Sequence, residues 1–426
     1  MINKMIKQKI HNKPYFNIFV LFITLALICS CGSKKKEVKG ETKQDTVKAV
    51  VDTALQSRLD RFAKKPRMKG RFGFYVYDLT ANKPVYAFNE KEAQPSASCL
   101  KLLSGVAGCY LLGTRYEWKT EIYRHGKVIG DTLHGDLIFK GGLDPQLTPQ
   151  GMVTLVEMMK KQHIKRVTGK VIFDLVLTDP VKTEAHWYPW DLSFSHYGIL
   201  YKGAPKVKKA FADALRRGGT QVADSQLIAG QLPKGSVRMV RFRRPLSLVL
   251  RRMWKNSSNT QATSLLYTIG HALEPNAVSY PGVGVKYERY FLRDIVKERD
   301  AGLMVHDGCG LCTYNHLSPY ALTSILKFAY SRKDIFRMLW ICLPVSGIDG
   351  TLRSEMASPE LRGKVHAKTG TLSHPYGISS LAGYCQADNG HLLAFSIMDS
   401  DMSVLDARVL QRDLCRALVN AKKGGK

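Results

Sequence analysis

Three short stretches of this 426-residue chain hold residue types that could do covalent chemistry. In "QPSASCLKLLSG", Ser98 and Lys101 stand three positions apart, which on a helix puts them on one face. A serine hydroxyl attacks a carbonyl only when a neighbouring base takes its proton. A lysine amine can be that base once burial and a second cation bring its pKa toward neutrality. The spacing recurs at Ser33/Lys36 and Ser324/Lys327, so it selects nothing alone. Ser33 sits in a polar tether where nothing lowers a lysine pKa, and Ser324 sits inside an amphipathic helix. Two further stretches follow: Ser257-Ser258-Asn259 in "KNSSNTQ", between two helices, and Lys368-Thr369-Gly370 in "HAKTGTLS", at the start of a late strand pair.

The elements that position these residues are legible in outline. A helix is expected over about 52–64, and "RFGFYVYDLTANKPVYAFN" alternates and turns at Ala81-Asn82-Lys83-Pro84 as a β-hairpin. Pro95 and Ser96 then signal the start of the Ser98 helix. From 116 to 244 the texture changes to short strands, turns and one helix, "TPQGMVTLVEMMKKQ". Gly141-Gly142 has no Gly-Lys-Ser/Thr after it and reads as a turn, not a phosphate loop. Helical periodicity returns from Pro245, and Asp388-Asn389-Gly390 joins two strands, "GISSLAGYCQ" and "HLLAFSIMDS". A closing helix spans about 403–420. The pattern is an α/β domain of residues 51–115 and 245–426 interrupted by a mostly β accessory region.

The N-terminus addresses the chain to a membrane. Lys4, Lys7, Lys9 and Lys13 precede an apolar run from Phe16 to Cys29, too short for a comfortable span but suited to a secretion signal. It ends in "LICSCGSKKK", which resembles a bacterial lipoprotein signal, with residues 1–31 ending at a lipidated Cys31. A retained N-terminal anchor is the alternative; either puts the body of the protein outside the cytoplasm, on a membrane. Residues 32–50 read as a flexible tether, spanning roughly 20–25 Å as a coil. The net charge of +29 favours anionic surroundings, but no nucleic-acid motif accompanies it. Without Cys29 and Cys31, seven of the nine cysteines remain, an odd number that argues against a fully paired disulfide framework. Cys309 and Cys312 form a lone C-x-x-C, a weak metal signal; a reactive pair or small buried side chains in a tight turn fit as well.

Ser-x-x-Lys, Ser-x-Asn and Lys-Thr-Gly, in that order, are the triplet of penicillin-binding proteins and serine β-lactamases. Lys101 and Ser257 are 156 positions apart (257 − 101), room for inserted domains. The chain therefore resembles the class C low-molecular-mass penicillin-binding proteins, the D-alanyl-D-alanine carboxypeptidase/endopeptidase family, over roughly residues 55–420. "GDLIFKGGLDPQLT", "WYPWDL", "HDGCGLCTYNHLSPYAL" and "LPVSGIDGTLR" support this. The resemblance implies a β-lactamase/transpeptidase-like domain, an antiparallel sheet with helices, and a serine peptidase that cleaves peptidoglycan peptides through an acyl-enzyme. It further implies acylation by β-lactam antibiotics and no metal or cofactor.

Ser98 would be the nucleophile, Lys101 the general base, Ser257 the proton relay and Asn259 the residue that orients lysine and substrate. Lys368, Thr369 and Gly370 would hold the substrate, and the N–H of Thr371, with that of Ser98, the oxyanion. Family members grip the peptide with an acidic residue of the insert; Asp174 and Asp179 in "FDLVLTDP" are the candidates, and each fits a structural turn equally well. A serine β-lactamase and an inactive cell-wall-binding scaffold are the rival readings. "DGCGLC" replaces the family's Asp-Gly-Ser-Gly-Leu-Ser, Ser258 replaces a common aspartate, and the family pattern lapses after Tyr197.

Overall fold

In the computed structural model, two large β-sheets and a two-stranded one are joined through a cluster of helices; residues 52–67, 70–184, 187, 197–372 and 377–420 are described. The expected signal, Cys31 and the tether lie outside these residues. The chain from Leu55 onward forms one compact unit. Among the described residues no helix is long and apolar enough to cross a membrane.

The described residues open with helix α1 (Thr53–Lys64), then β1 (Arg71–Asp78) and β2 (Lys83–Phe88). A two-residue strand, β3 (Gln94–Pro95), which pairs with the equally short β10 (His316–Leu317), and a 3₁₀ turn (Ala97–Cys99) lead into α2 (Leu100–Leu112). The C-terminal strands β11 (Val365–Leu372), β12 (Ile378–Gln386) and β13 (Leu392–Ser400) join β1 and β2 in a five-stranded antiparallel sheet of order β11-β12-β13-β1-β2. The first and last parts of the chain thus meet at β1 and β13, as the two expected hairpins require. On one face of this sheet Leu55, Leu59 and Phe62 of α1 pack with Leu410, Leu414 and Leu418 of the last helix, α11 (Val404–Leu418 in the fold). The other face is covered by a helix over Pro319–Tyr330, where Thr323 hydrogen-bonds Ser396 and Tyr384 donates to Leu326 O. With both faces covered, β12 and β13 are buried almost throughout and lose the alternation of a half-exposed strand.

Between these parts lies the second sheet. It comprises β4 (Glu117–Ile129), β5 (Thr132–Gly141), the short β6 (Arg166–Val167), β7 (Val171–Leu175), β8 (Leu227–Ala229) and β9 (Val237–Pro245). The order is β8-β7-β5-β4-β9; β4 pairs antiparallel with β5 and β9, whereas β5, β7 and β8 run parallel. Parallel pairing needs crossovers, and two helices supply them: α3 (Pro149–Met159) and α4 (Ala204–Arg217). The sequence reading expected one helix here. The second is anchored by Phe211, whose ring lies 4.8 Å from Phe139 and 5.8 Å from Phe173.

Helices α5 (Leu246–Lys255), α6 (Asn259–Leu273) and α7 (Tyr280–Tyr290) follow β9 directly. They enclose α2, eleven of whose thirteen residues are buried, Lys101 among them. A helix apolar all round belongs in a core, and here close packing depends on its glycines. A Cβ at Gly105 would stand 2.2 Å from Trp254 Cζ2. Gly105→Ala is therefore expected to overpack this junction and lower stability by about 1–3 kcal/mol, measurable as a shifted urea midpoint at unchanged slope.

Candidate active site

Ser98 occupies the 3₁₀ turn that opens α2, and Ala97 before it has φ 46, an uncommon conformation for a residue with a side chain. The turn is pinned from two sides. Ser96 N donates to Asn315 O at 3.0 Å, and Ser380 Oγ on β12 donates to Ser96 O at 2.8 Å. Cys99 Sγ donates to Lys368 O at 3.2 Å, tying the Ser98 turn to β11. A Cβ at Gly370 would lie 2.1 Å from Ser380 Oγ, and one at Gly310 1.9 Å from Ala97 O, so neither position tolerates a side chain without displacing backbone or strand.

Lys101 Nζ is fully enclosed and reaches three acceptors: Ser98 Oγ and Asn259 Oδ1 at 2.8 Å each, and Cys309 O at 2.5 Å. Three acceptors match the three donors of an ammonium. Burial pushes its pKa down, with the nearby Asp307 carboxylate pulling the other way. Lys368 Nζ donates to Ser257 Oγ at 2.8 Å and to Thr369 O at 2.5 Å. Burial, then the charge of Lys101, bring it down to about 7. Ser257 has φ 54, and Asn259 is the first residue of α6. Thr369 Oγ1 donates to Thr351 Oγ1 at 2.8 Å. Ser98, Ser257, Thr369, Gly370 and Thr371 line one cleft of about 340 Å³.

The structure thus brings together Ser98, Lys101, Ser257, Asn259, Lys368, Thr369, Gly370 and Thr371. It does not bring the two aspartates. Asp174 lies on β7, 3.5 Å from Lys140 Nζ on the neighbouring strand, and accepts from Leu232 N. Asp179 is exposed in a separate hollow beside Val278 and Tyr280. Neither lines the Ser98 cleft. Ser324 and Lys327 stand in another hollow, where Lys327 Nζ lies over the Tyr77 ring at 3.6 Å.

Sequence reasoning missed Asp307. Its Oδ1 accepts from Cys309 N (2.9 Å) and Gly310 N (2.6 Å), and its Oδ2 from Cys312 N and Trp187 Nε1 (2.8 Å each). This fixes the "DGCGLC" turn that presents Cys309 O to Lys101. The cysteines of that turn are buried free thiols. Trp254, whose Nε1 donates to Lys101 O at 2.8 Å, was missed too.

The pattern of the D-Ala-D-Ala carboxypeptidase 3 (S13) family matches residues 55–198 and 200–420. The chain belongs to that family. It is a serine-type D-Ala-D-Ala carboxypeptidase, not a β-lactamase. The match resumes at Leu200, so the family pattern continues past Tyr197, through the segment where the sequence reading had it lapse. D-alanyl-D-alanine carboxypeptidase DacB of Haemophilus influenzae is 22% identical over 407 residues, covering 76% of this chain and 84% of the relative. The D-alanyl-D-alanine carboxypeptidase of an Actinomadura strain is 23% identical over 455 residues, 82% of each. Among solved structures, penicillin binding protein 4 of H. influenzae superposes with TM-score 0.69 at 20% identity, over 84% of this chain and 97% of that one. A predatory peptidoglycan endopeptidase of Bdellovibrio bacteriovorus gives 0.59 at 17% identity, over 84% and 95%. These likenesses bear on the fold: the β-lactamase/transpeptidase-like arrangement expected from the sequence is present.

Asp307→Ala would strand three buried backbone N–H groups and an indole N–H. A stability loss of about 3–5 kcal/mol is expected, read by chemical denaturation, with a slower reaction of Ser98 in whatever protein remains folded.

Proposed function

We propose that this chain is a lipid-tethered peptidase of the cell envelope that cleaves the D-Ala-D-Ala bond or the cross-link of peptidoglycan stem peptides through an acyl-enzyme on Ser98. One observation carries the reading: Lys101 Nζ stands 2.8 Å from Ser98 Oγ in a buried, pKa-lowered site, with a second lysine beside it. As a neutral amine, Lys101 has two N–H bonds for Asn259 Oδ1 and Cys309 O and a lone pair for the Ser98 hydroxyl. It takes the hydroxyl proton as Oγ bonds to the carbonyl carbon. The oxyanion forms against the N–H groups of Ser98 and Thr371. When the C–N bond breaks, the leaving amine takes a proton through Ser257, which Lys368 supports. Water then hydrolyses the ester, with Lys101 again the base. Lys368 and Thr369 receive a substrate carboxylate, and Gly370 admits the extended peptide to the edge of β11.

The solved H. influenzae protein was also obtained in complex with a β-lactam, which supports β-lactams as acylating ligands of Ser98 here. The lipid anchor at Cys31, the tether, and the division into a catalytic domain (51–115 and 245–426) with an inserted region (116–244) rest on the sequence. The same holds for a periplasm-facing location without a nucleic-acid partner.

A fluorescent penicillin should label the wild type and Ser324→Ala equally, whereas Ser98→Ala should show no band; an unlabelled wild type would sink the proposal. Acylation should rise with pH as Lys101 loses its proton, with a midpoint below the ordinary lysine range because burial disfavours the ammonium. A rate that rose only around the ordinary lysine value of about 10.4 would contradict this role.

A further inference from the structure

The cleft that holds Ser98 does not end at Thr371. It continues between the one-turn helix α10 (Leu352–Glu355, after two helices over Pro319–Tyr330 and Lys333–Cys342) and α11, where Arg408, Gln411 and Arg412 form its far wall. Arg408 and Arg412 are four positions apart and share one helix face. Arg408 Nη1 lies 3.0 Å from Glu355 Oε1, and Arg412 Nη1 donates to Glu355 O at 3.4 Å. The wall thus holds two guanidinium groups and one carboxylate, which pairs with Arg408 while Arg412 bonds the Glu355 backbone oxygen, and it keeps a net positive charge. The wall is also held still. Gln411, buried between the arginines, donates to Ser379 Oγ at 2.9 Å and to Asp399 Oδ2 at 2.8 Å, which anchors α11 to β12 and β13.

This extension lies beyond Thr369, the residue that takes the carboxylate of the leaving portion in the function proposed above, on which this inference rests. A single leaving amino acid satisfies its carboxylate at Lys368 and Thr369 and does not need the space beyond. A cross-linked substrate differs, because its leaving portion is a second peptide with further carboxylates. A guanidinium is suited to receive them, since it stays charged and offers a planar fork of donors. We propose that Arg408 and Arg412 form a receiving site for the carboxylates of a peptide leaving group, and so set how strongly the enzyme favours cross-linked over uncross-linked stem peptides. Glu355 holds Arg408 in place and sets the residual charge of the site.

The test uses the full chain in detergent, with active sites counted by fluorescent penicillin. The wild type, Arg412→Ala, Arg412→Lys and Glu355→Gln are compared on a purified cross-linked peptide dimer and on an uncross-linked pentapeptide ending in D-Ala-D-Ala. Per labelled site, Arg412→Ala should lose about tenfold more kcat/KM on the dimer than on the pentapeptide, chiefly through KM. Arg412→Lys should recover part of the loss. Glu355→Gln, which removes the carboxylate of this wall and frees Arg408 from its ion pair, should lower KM for the dimer. Equal losses on the two substrates, no loss, or a labelled wild type that cleaves only the pentapeptide would each overturn the inference. A wild type that penicillin does not label would instead overturn the peptidase reading itself.

Discussion

Two lysine amines buried side by side are the constraint from which most of this structure follows. Removing an ammonium from water costs on the order of several kcal/mol unless acceptors replace its hydration. Lys101 sits in a buried helix whose other polar core residue, Ser104, donates to Gly308 O, so its acceptors must come from elsewhere. They arrive from the Ser98 turn, the start of α6 and the backbone at Cys309. Lys368 draws on the connection between α5 and α6 and on its own strand. Segments far apart in the chain therefore converge on two nitrogen atoms. The site is assembled only when both the antiparallel sheet and the helical cluster are complete.

Convergence at this density leaves little room for side chains or relaxed backbone. Gly310 and Gly370 stand where a Cβ would overlap Ala97 O and Ser380 Oγ. Ala97 and Ser257 are held at positive φ although neither is glycine. Such conformations cost of order 1–3 kcal/mol each and persist where the surroundings impose them. Both lie at the cleft, one immediately before Ser98 and one at the hydroxyl that touches Lys368. The hydrogen bonds from Ser380 and to Asn315 that clamp Ser96 are what hold the strained turn.

The three motifs that the structure brings together were legible in the sequence because each is local: three or four residues joined by one contact. The hairpin at Asp388-Asn389-Gly390 was legible for the same reason. What the sequence hid depends on register and distance. Asp174 looked like a free acid of the insert, but the parallel pairing of β7 with β5 sets it opposite Lys140, where it makes an ion pair. Asp307 looked like one turn residue among many. Its role requires the turn to close so that backbone N–H groups meet one carboxylate, which no spacing rule encodes. Helix α4 was overlooked although Val207, Phe211, Ala214 and Leu215 carry a helical stripe. Its lysine-rich first turns masked that stripe, which becomes an apolar face only against Phe139 and Phe173.

The replacement of Ser by Cys in the "DGCGLC" turn, unexpected from the family pattern, becomes intelligible from the same geometry. The turn is closed by the Asp307 carboxylate on backbone N–H groups, and its contribution to the site is the Cys309 carbonyl. Neither bond involves the side chain at 309 or 312, so a thiol can stand where a hydroxyl is common without altering the support of Lys101. Burial raises the pKa of both thiols, and of Cys99 beside the nucleophile. All three therefore stay protonated, and a protonated, enclosed thiol is a small apolar group rather than a nucleophile. Lys101 Nζ thus meets Ser98 Oγ, which opens to the cleft, while the three cysteines nearby stay buried away from it.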